Sequence, residues 1–193
     1  MKKKKAAAIL LTAAVGMGAL SVPAAAPKDA GICPAVTAQA ATAPSASKLA
    51  SAVKKAYGDN YWPDYKLDQD EIKSKYGVDA SLYASAYAEV PMISAHVDQL
   101  VIFKAKNTSS KKKILTAVKK YQKNLKEDTM QYPMNQLKIQ GSKVYANGNY
   151  VCFFMLGGSI SKSLEESGTQ EEIIQAYQQL NKKAVNTVKK KLK

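Results

Sequence analysis

The chain has 193 residues, 46% of them hydrophobic, which suits one domain with tails and excludes a globally disordered polymer. It carries 29 cations against 15 acids, a formal charge of +14, and every cation is lysine. Without arginine the chain lacks the bidentate fork that sequence-specific nucleic-acid readers use, so nucleic acid is not the expected partner.

Lys2, Lys3, Lys4 and Lys5 precede an uncharged, mostly apolar run from Ala6 to Leu20, and small residues follow. That order is a secretory signal pattern, and the run is short for a stable membrane span. The expected signal peptide covers residues 1–24 and extends to 40 in the alternative; an uncleaved membrane anchor is the competing reading. Val22-Pro23-Ala24 offers cleavage after Ala24, and Ala38-Gln39-Ala40 offers a cleaner site after Ala40. Residues 25–45, rich in Ala, Pro, Ser and Thr, read as a flexible linker or processing region. Ile32 precedes Cys33, and Lys28 and Asp29 separate it from the apolar run, which is not the context of a lipidated cysteine. The expected location is secreted or extracytoplasmic, at the cell envelope. Residues 1–40 hold five lysines and one aspartate, so the rest still carries 24 lysines against 14 acids.

Ser45 or Ser47 can cap a first helix that has Leu49, Val53 and Tyr57 on one face and stops at Gly58. Tyr61, Trp62 and Tyr65 then cluster around Pro63. Asp68 with Glu71 makes a capping-box pattern for a second helix that Gly77 ends. From Ser81 to Ser94 the period becomes two: Leu82, Ala84, Ala86, Ala88 and Val90 alternate with Tyr83, Ser85, Tyr87 and Glu89. This predicts a strand broken or bulged at Pro91. Leu100 to Phe103 predicts a second strand, antiparallel to the first, with a turn between Ser94 and Asp98.

Asn107 to Ser110 reads as loop and cap. From Lys111 a helix presents Leu115, Val118, Tyr121 and Leu125 on one face and fades between Asp128 and Tyr132, ahead of Pro133. Asn147-Gly148 predicts a two-residue hairpin turn leading into a strand from Tyr150 to Leu156. The strands at Leu100 and Tyr150 are apolar on both sides, which places them centrally with cover on both faces. Thr169 with Glu172 caps a last helix whose stripe is Ile173, Tyr177, Leu180, Ala184, Val188 and Leu192. The expected fold is α+β over residues 46–193: a small antiparallel sheet of about four strands, a crossing helix and a C-terminal helix.

Four passages occur in an ordered series: Lys75-Tyr76-Gly77-Val78, the run Asp98 to Lys106, the lysine-rich helix ending near Tyr132-Pro133, and Gly148-Asn149-Tyr150-Val151. Together they resemble the DUF4358 family, a domain of unknown function in bacterial exported proteins and lipoproteins, over a core of residues 76–156. The resemblance implies an extracytoplasmic domain and carries no catalytic residue over.

Candidate chemistry is sparse. His96 and Asp98 share a face if the chain is extended, but the third member, Cys152, sits in an apolar run with nothing to make it a thiolate. Asp68, Asp70 and Glu71 lack the glycine and terminal glutamate of a calcium loop, and one histidine with two cysteines does not make a zinc site. No enzyme activity, metal or cofactor is expected. Two readings of surface residues remain. Lys111, Lys112, Lys113, Lys119 and Lys120 on one helix, and Lys182, Lys183, Lys189 and Lys190 on the other, form a candidate anion-binding surface. Its expected partner is an anionic wall polymer or membrane surface. Tyr61, Trp62 and Tyr65 form a candidate aromatic contact for a glycan or peptide, against the plainer reading of a hydrophobic lid.

Overall fold

The computed structural model describes residues 43–193 apart from residue 94. The candidate cleavage positions Ala24 and Ala40 lie outside the described residues. Helix α1, Ala46–Tyr57, opens on Ser45, whose side chain accepts from Lys48 N–H, and buries Leu49, Val53 and Tyr57 as its period predicts. Strand β1 follows at Tyr65–Lys66 and helix α2 at Gln69–Tyr76. The Asp68/Glu71 capping box forms, and Gly77 closes α2 at φ 68°, the left-handed region that favours glycine.

The long hairpin is β2, Tyr83–Val90, and β3, Gln99–Ala105, paired antiparallel with Ala88 opposite Val101. A register shift between Tyr83 and Ser85 alters the expected alternation: Tyr83 is buried and Ala84 is exposed. Helix α3, Thr108–Glu127, starts one turn earlier than expected because Asn107 accepts from Ser110 N–H. Helix α4, Pro133–Gln140, is an addition to the expected elements. Pro133, read as a stop, occupies the first turn, where its missing N–H costs nothing.

The second hairpin is β4, Lys143–Asn147, and β5, Tyr150–Met155. Asn147 pairs with Tyr150, so the loop is Gly148-Asn149, one residue later than expected, with Gly148 at φ 50°. A short helix α5, Lys162–Ser167, also unexpected, precedes α6, Gln170–Lys191, which begins on the Thr169/Glu172 capping box.

The strand order is β1-β2-β3-β5-β4, all antiparallel, an α+β fold with five strands rather than about four. The fifth is β1, too short to show a period. As expected, β3 and β5 lie inside the sheet, and α3 crosses between the two hairpins. Side chains of β3 and β5 alternate between two cores. Val101, Phe103, Val151, Phe153 and Met155 pack with residues of α2, α3 and α4. Leu100, Ile102, Cys152 and Phe154 pack with residues of α1 and α6. Such double-sided cover is what a strand apolar at every position requires.

On α6 the buried stripe includes Asn181 beside the predicted Ile173, Tyr177, Ala184 and Val188. Its amide accepts from Leu156 N–H at 2.9 Å and donates to the Gly141 and Tyr177 carbonyls at 3.0 Å each. The buried amide is thus satisfied and fastens α6 to the end of β5 and to the residue after α4. At that residue, Gly141, a Cβ would sit 2.6 Å from Tyr177 Cβ, so only glycine allows the two helices so close.

Candidate functional site

One end of the sheet holds a buried ion pair. Lys138 of α4 lies 2.5 Å from Asp98, which immediately precedes β3, and their side chains are 5% and 1% exposed. Lys138 also donates to Gly158 O, and Gly158 N–H donates to the other Asp98 oxygen at 3.1 Å. Burial lowers the Lys138 ammonium, opposed by Asp98; burial raises the Asp98 carboxyl, opposed by Lys138. The rings of Trp62 and Tyr177 each lie 5.3 Å from the ammonium, and His96 meets Trp62 at 4.5 Å in an edge arrangement. A Cβ on Gly158 would strike the Trp62 ring at 2.7 Å. Trp62 therefore packs over the ion pair.

This geometry divides the aromatic trio. Tyr61 donates to the buried Glu89, which Tyr87 and Lys54 also hold. Trp62 covers Lys138, and Tyr65 on β1 donates to Glu71 at 2.8 Å. A shallow cleft of about 330 Å³ lies beside Tyr61, Trp62 and His96. Cys152 is fully buried in the core against α1 and α6, and burial pushes its thiol up. It pairs with Ile102, four residues along from Asp98, or roughly 13 Å of strand. The structure does not bring it to His96 and Asp98. Asp68 and Glu71 are engaged in the capping box. Among the described residues no group of three His, Cys, Asp or Glu side chains is placed to hold a metal ion.

The lysines give a different picture at the β4 edge of the sheet. There α3 and α6, which cover opposite faces, wall a groove of about 700 Å³. Lys119 and Lys126 stand on the α3 wall, Lys182 and Lys189 on the α6 wall, and Lys143 at the start of β4. No carboxylate lines the groove, and none of the five lysines forms an ion pair among the described residues. Lys126 and Lys189 each follow the first lysine of their wall by seven residues. That is two helical turns, or about 10 Å along one face. Burial, and then the charge of Lys143, lowers the Lys126 ammonium. Glutamines complete the walls: Gln122 donates to Ser142 O at 3.0 Å, and Gln140 and Lys126 exchange side-chain to carbonyl bonds.

Of the nine lysines expected to bind anions, the groove gathers Lys119, Lys182 and Lys189. Lys182 with Lys183 and Lys190 also borders an open depression on α6. Lys183 lies 5.1 Å from the Tyr57 ring. Lys111, Lys112 and Lys113 occupy the first turns of α3, outside the groove, and Lys120 is exposed. Lys126 and Lys143 are groove residues that the sequence reading missed. The seven-residue spacing of both pairs was the available signal for Lys126; nothing local marks Lys143.

The arrangement is a five-stranded antiparallel α+β domain with a lysine-walled edge groove. Residues 56–156 match the family described as Domain of unknown function (DUF4358), and the chain belongs to that family. The match begins in α1, some way before the Lys75-Tyr76-Gly77-Val78 passage that first suggested it. No curated protein and no solved structure matches the chain. The groove's α6 wall lies beyond the matched residues.

Proposed function

We propose that this is an exported, non-enzymatic interaction domain of the cell envelope that holds an extended anionic chain in the groove between α3 and α6. The observation that carries the reading is the groove itself: five lysines, two walls and no acid. Cations kept together without counter-ions repel one another, and an anionic ligand relieves that repulsion. A concave site between two helices admits a chain along its floor, whereas a flat bilayer touches only its rims. Each lysine near a dense anionic surface contributes about 1 kcal/mol, so the five together give a weak, salt-sensitive attachment. Export rests on the lysine n-region and apolar run at residues 2–20. N-terminal sequencing of protein from wall or culture fractions is expected to begin at Ala25 or Ala41, and a start at Met1 in the membrane pellet would overturn it.

The test of binding is retention on purified walls, immobilised polyphosphate, immobilised polyglutamate and anionic vesicles, at low and high salt. Retention on at least one chain-like polyanion is expected at low salt. It should be lost at high salt and in the Lys119→Gln, Lys126→Gln, Lys182→Gln, Lys189→Gln quadruple variant. Retention on vesicles alone would replace the chain with a membrane surface. No retention anywhere, or none sensitive to the quadruple variant, ends the reading.

A further inference from the structure

The floor of the groove is the open edge of the sheet, and its backbone orientation says what kind of chain it takes. Ala105 N–H donates to Asn149 O, and Phe103 pairs with Val151, so odd-numbered residues of β5 turn their backbone toward β3. Even-numbered residues therefore bond to β4: Tyr150 with Asn147, Cys152 with Tyr145, Phe154 with Lys143. By the same alternation, the N–H and C=O groups of Val144 and Ala146 point away from the sheet, toward the open edge. Ala146 is exposed and Val144 half-buried, so the edge is reachable. Lysines around an open edge keep like-charged copies of this chain from pairing there, while leaving it open to a strand of opposite charge.

We propose that the anionic chain is an acidic polypeptide segment, which adds to β4 as a sixth strand. This rests on the groove reading above and narrows it. An edge offers acceptors as well as donors. A polyphosphate can use the outward N–H groups but is repelled by the carbonyl oxygens beside them. An extended peptide pairs with both, and its side chains alternate between the two faces of the sheet. Acids on one face meet Lys119 and Lys126; acids on the other meet Lys182 and Lys189. Main-chain bonds thus supply affinity, and the two lysine walls select for acids on both faces.

The experiment is fluorescence anisotropy with a labelled Glu/Thr-rich peptide of about eight residues, a length matched to one strand. It is compared with the same peptide N-methylated at every amide, which keeps the charge but removes the N–H donors from both of its edges. Inorganic polyphosphate serves as competitor. At least tenfold weaker binding is expected for the methylated peptide on the wild-type protein. Ala146→Pro, which removes one outward N–H at an edge position that tolerates proline, should weaken the plain peptide by a larger factor than polyphosphate. Equal binding of the two peptides, or binding of polyphosphate without the peptide, overturns the strand and leaves the groove standing. The methylation comparison uses the wild-type protein, so misfolding of Ala146→Pro does not blunt it. Insensitivity of every probe to the quadruple lysine variant overturns the groove as well.

Discussion

Lys138→Met is the most informative perturbation of the fold. It removes the ammonium from a carboxylate that is 1% exposed and keeps most of the side-chain volume. Asp98 retains one bond, from Gly158 N–H. Breaking a buried pair by deleting one partner costs about 3–5 kcal/mol, because the other charge stays desolvated. For a domain of this size that lowers the melting temperature by roughly 10 °C. The cost depends on pH in a defined direction. Burial already raises the Asp98 carboxyl, and loss of Lys138 removes the first opposing influence. A group whose folded pKa is raised binds its proton more tightly folded than unfolded. Its stabilising contribution is present at low pH and disappears as pH rises through the folded value. The variant's deficit should therefore be largest at neutral and alkaline pH and shrink on acidification. Urea unfolding at several pH values, with Lys138→Met/Asp98→Leu as the partner variant, measures this. The double variant should recover much of the loss, since apolar replacement of both members is often close to neutral. A single-variant cost below about 1 kcal/mol, or a deficit that grows as pH falls, would refute the reasoning.

Two further outcomes are expected. Gly148→Val should cost about 1–2 kcal/mol, because a Cβ there meets nothing within 4 Å and the penalty is backbone alone at φ 50°; an unchanged denaturation midpoint would show the hairpin loop relaxing freely. In a Cys33→Ser background, Cys152 should resist an aromatic disulfide reagent at pH 8 until denaturant is added, since its thiol is fully buried and held protonated; rapid labelling of the native protein would contradict its placement in the core.

Much of the fold was legible because its signals are local. The Ser45 cap and the two capping boxes, Asp68/Glu71 and Thr169/Glu172, mark three helix starts by side chains that bond their own backbone. The Leu100–Phe103 run of β3 and the Tyr150–Met155 run of β5, apolar throughout, implied cover on both faces, which α1 and α6 on one side and α3 on the other provide. What escaped depends on partners distant in sequence. Strand β1 exists because Tyr65 meets Val90. Helix α4 has little amphipathic pattern, because it carries Lys138 inward to Asp98, forty residues away in sequence. A buried lysine reads as a surface residue until its carboxylate is found. The groove was half legible: outward lysines on α3 and α6 were expected, but their meeting across the β4 edge follows from strand order alone.

Helix α4 links the buried ion pair to the lysine groove. Its inward lysine is fastened to Asp98 and Gly158, while two residues later Gln140 donates to the carbonyl of the groove residue Lys126 and accepts from its ammonium at its own carbonyl. The next residue, Gly141, receives the Asn181 amide from α6. Through these bonds the segment 138–141 ties α3 and α6, the two walls of the groove, to the end of the sheet that holds the ion pair. These bonds hold the walls together against the mutual repulsion of the lysines. For the proposed anionic ligand such a tied pair of walls would lower the ordering cost of binding.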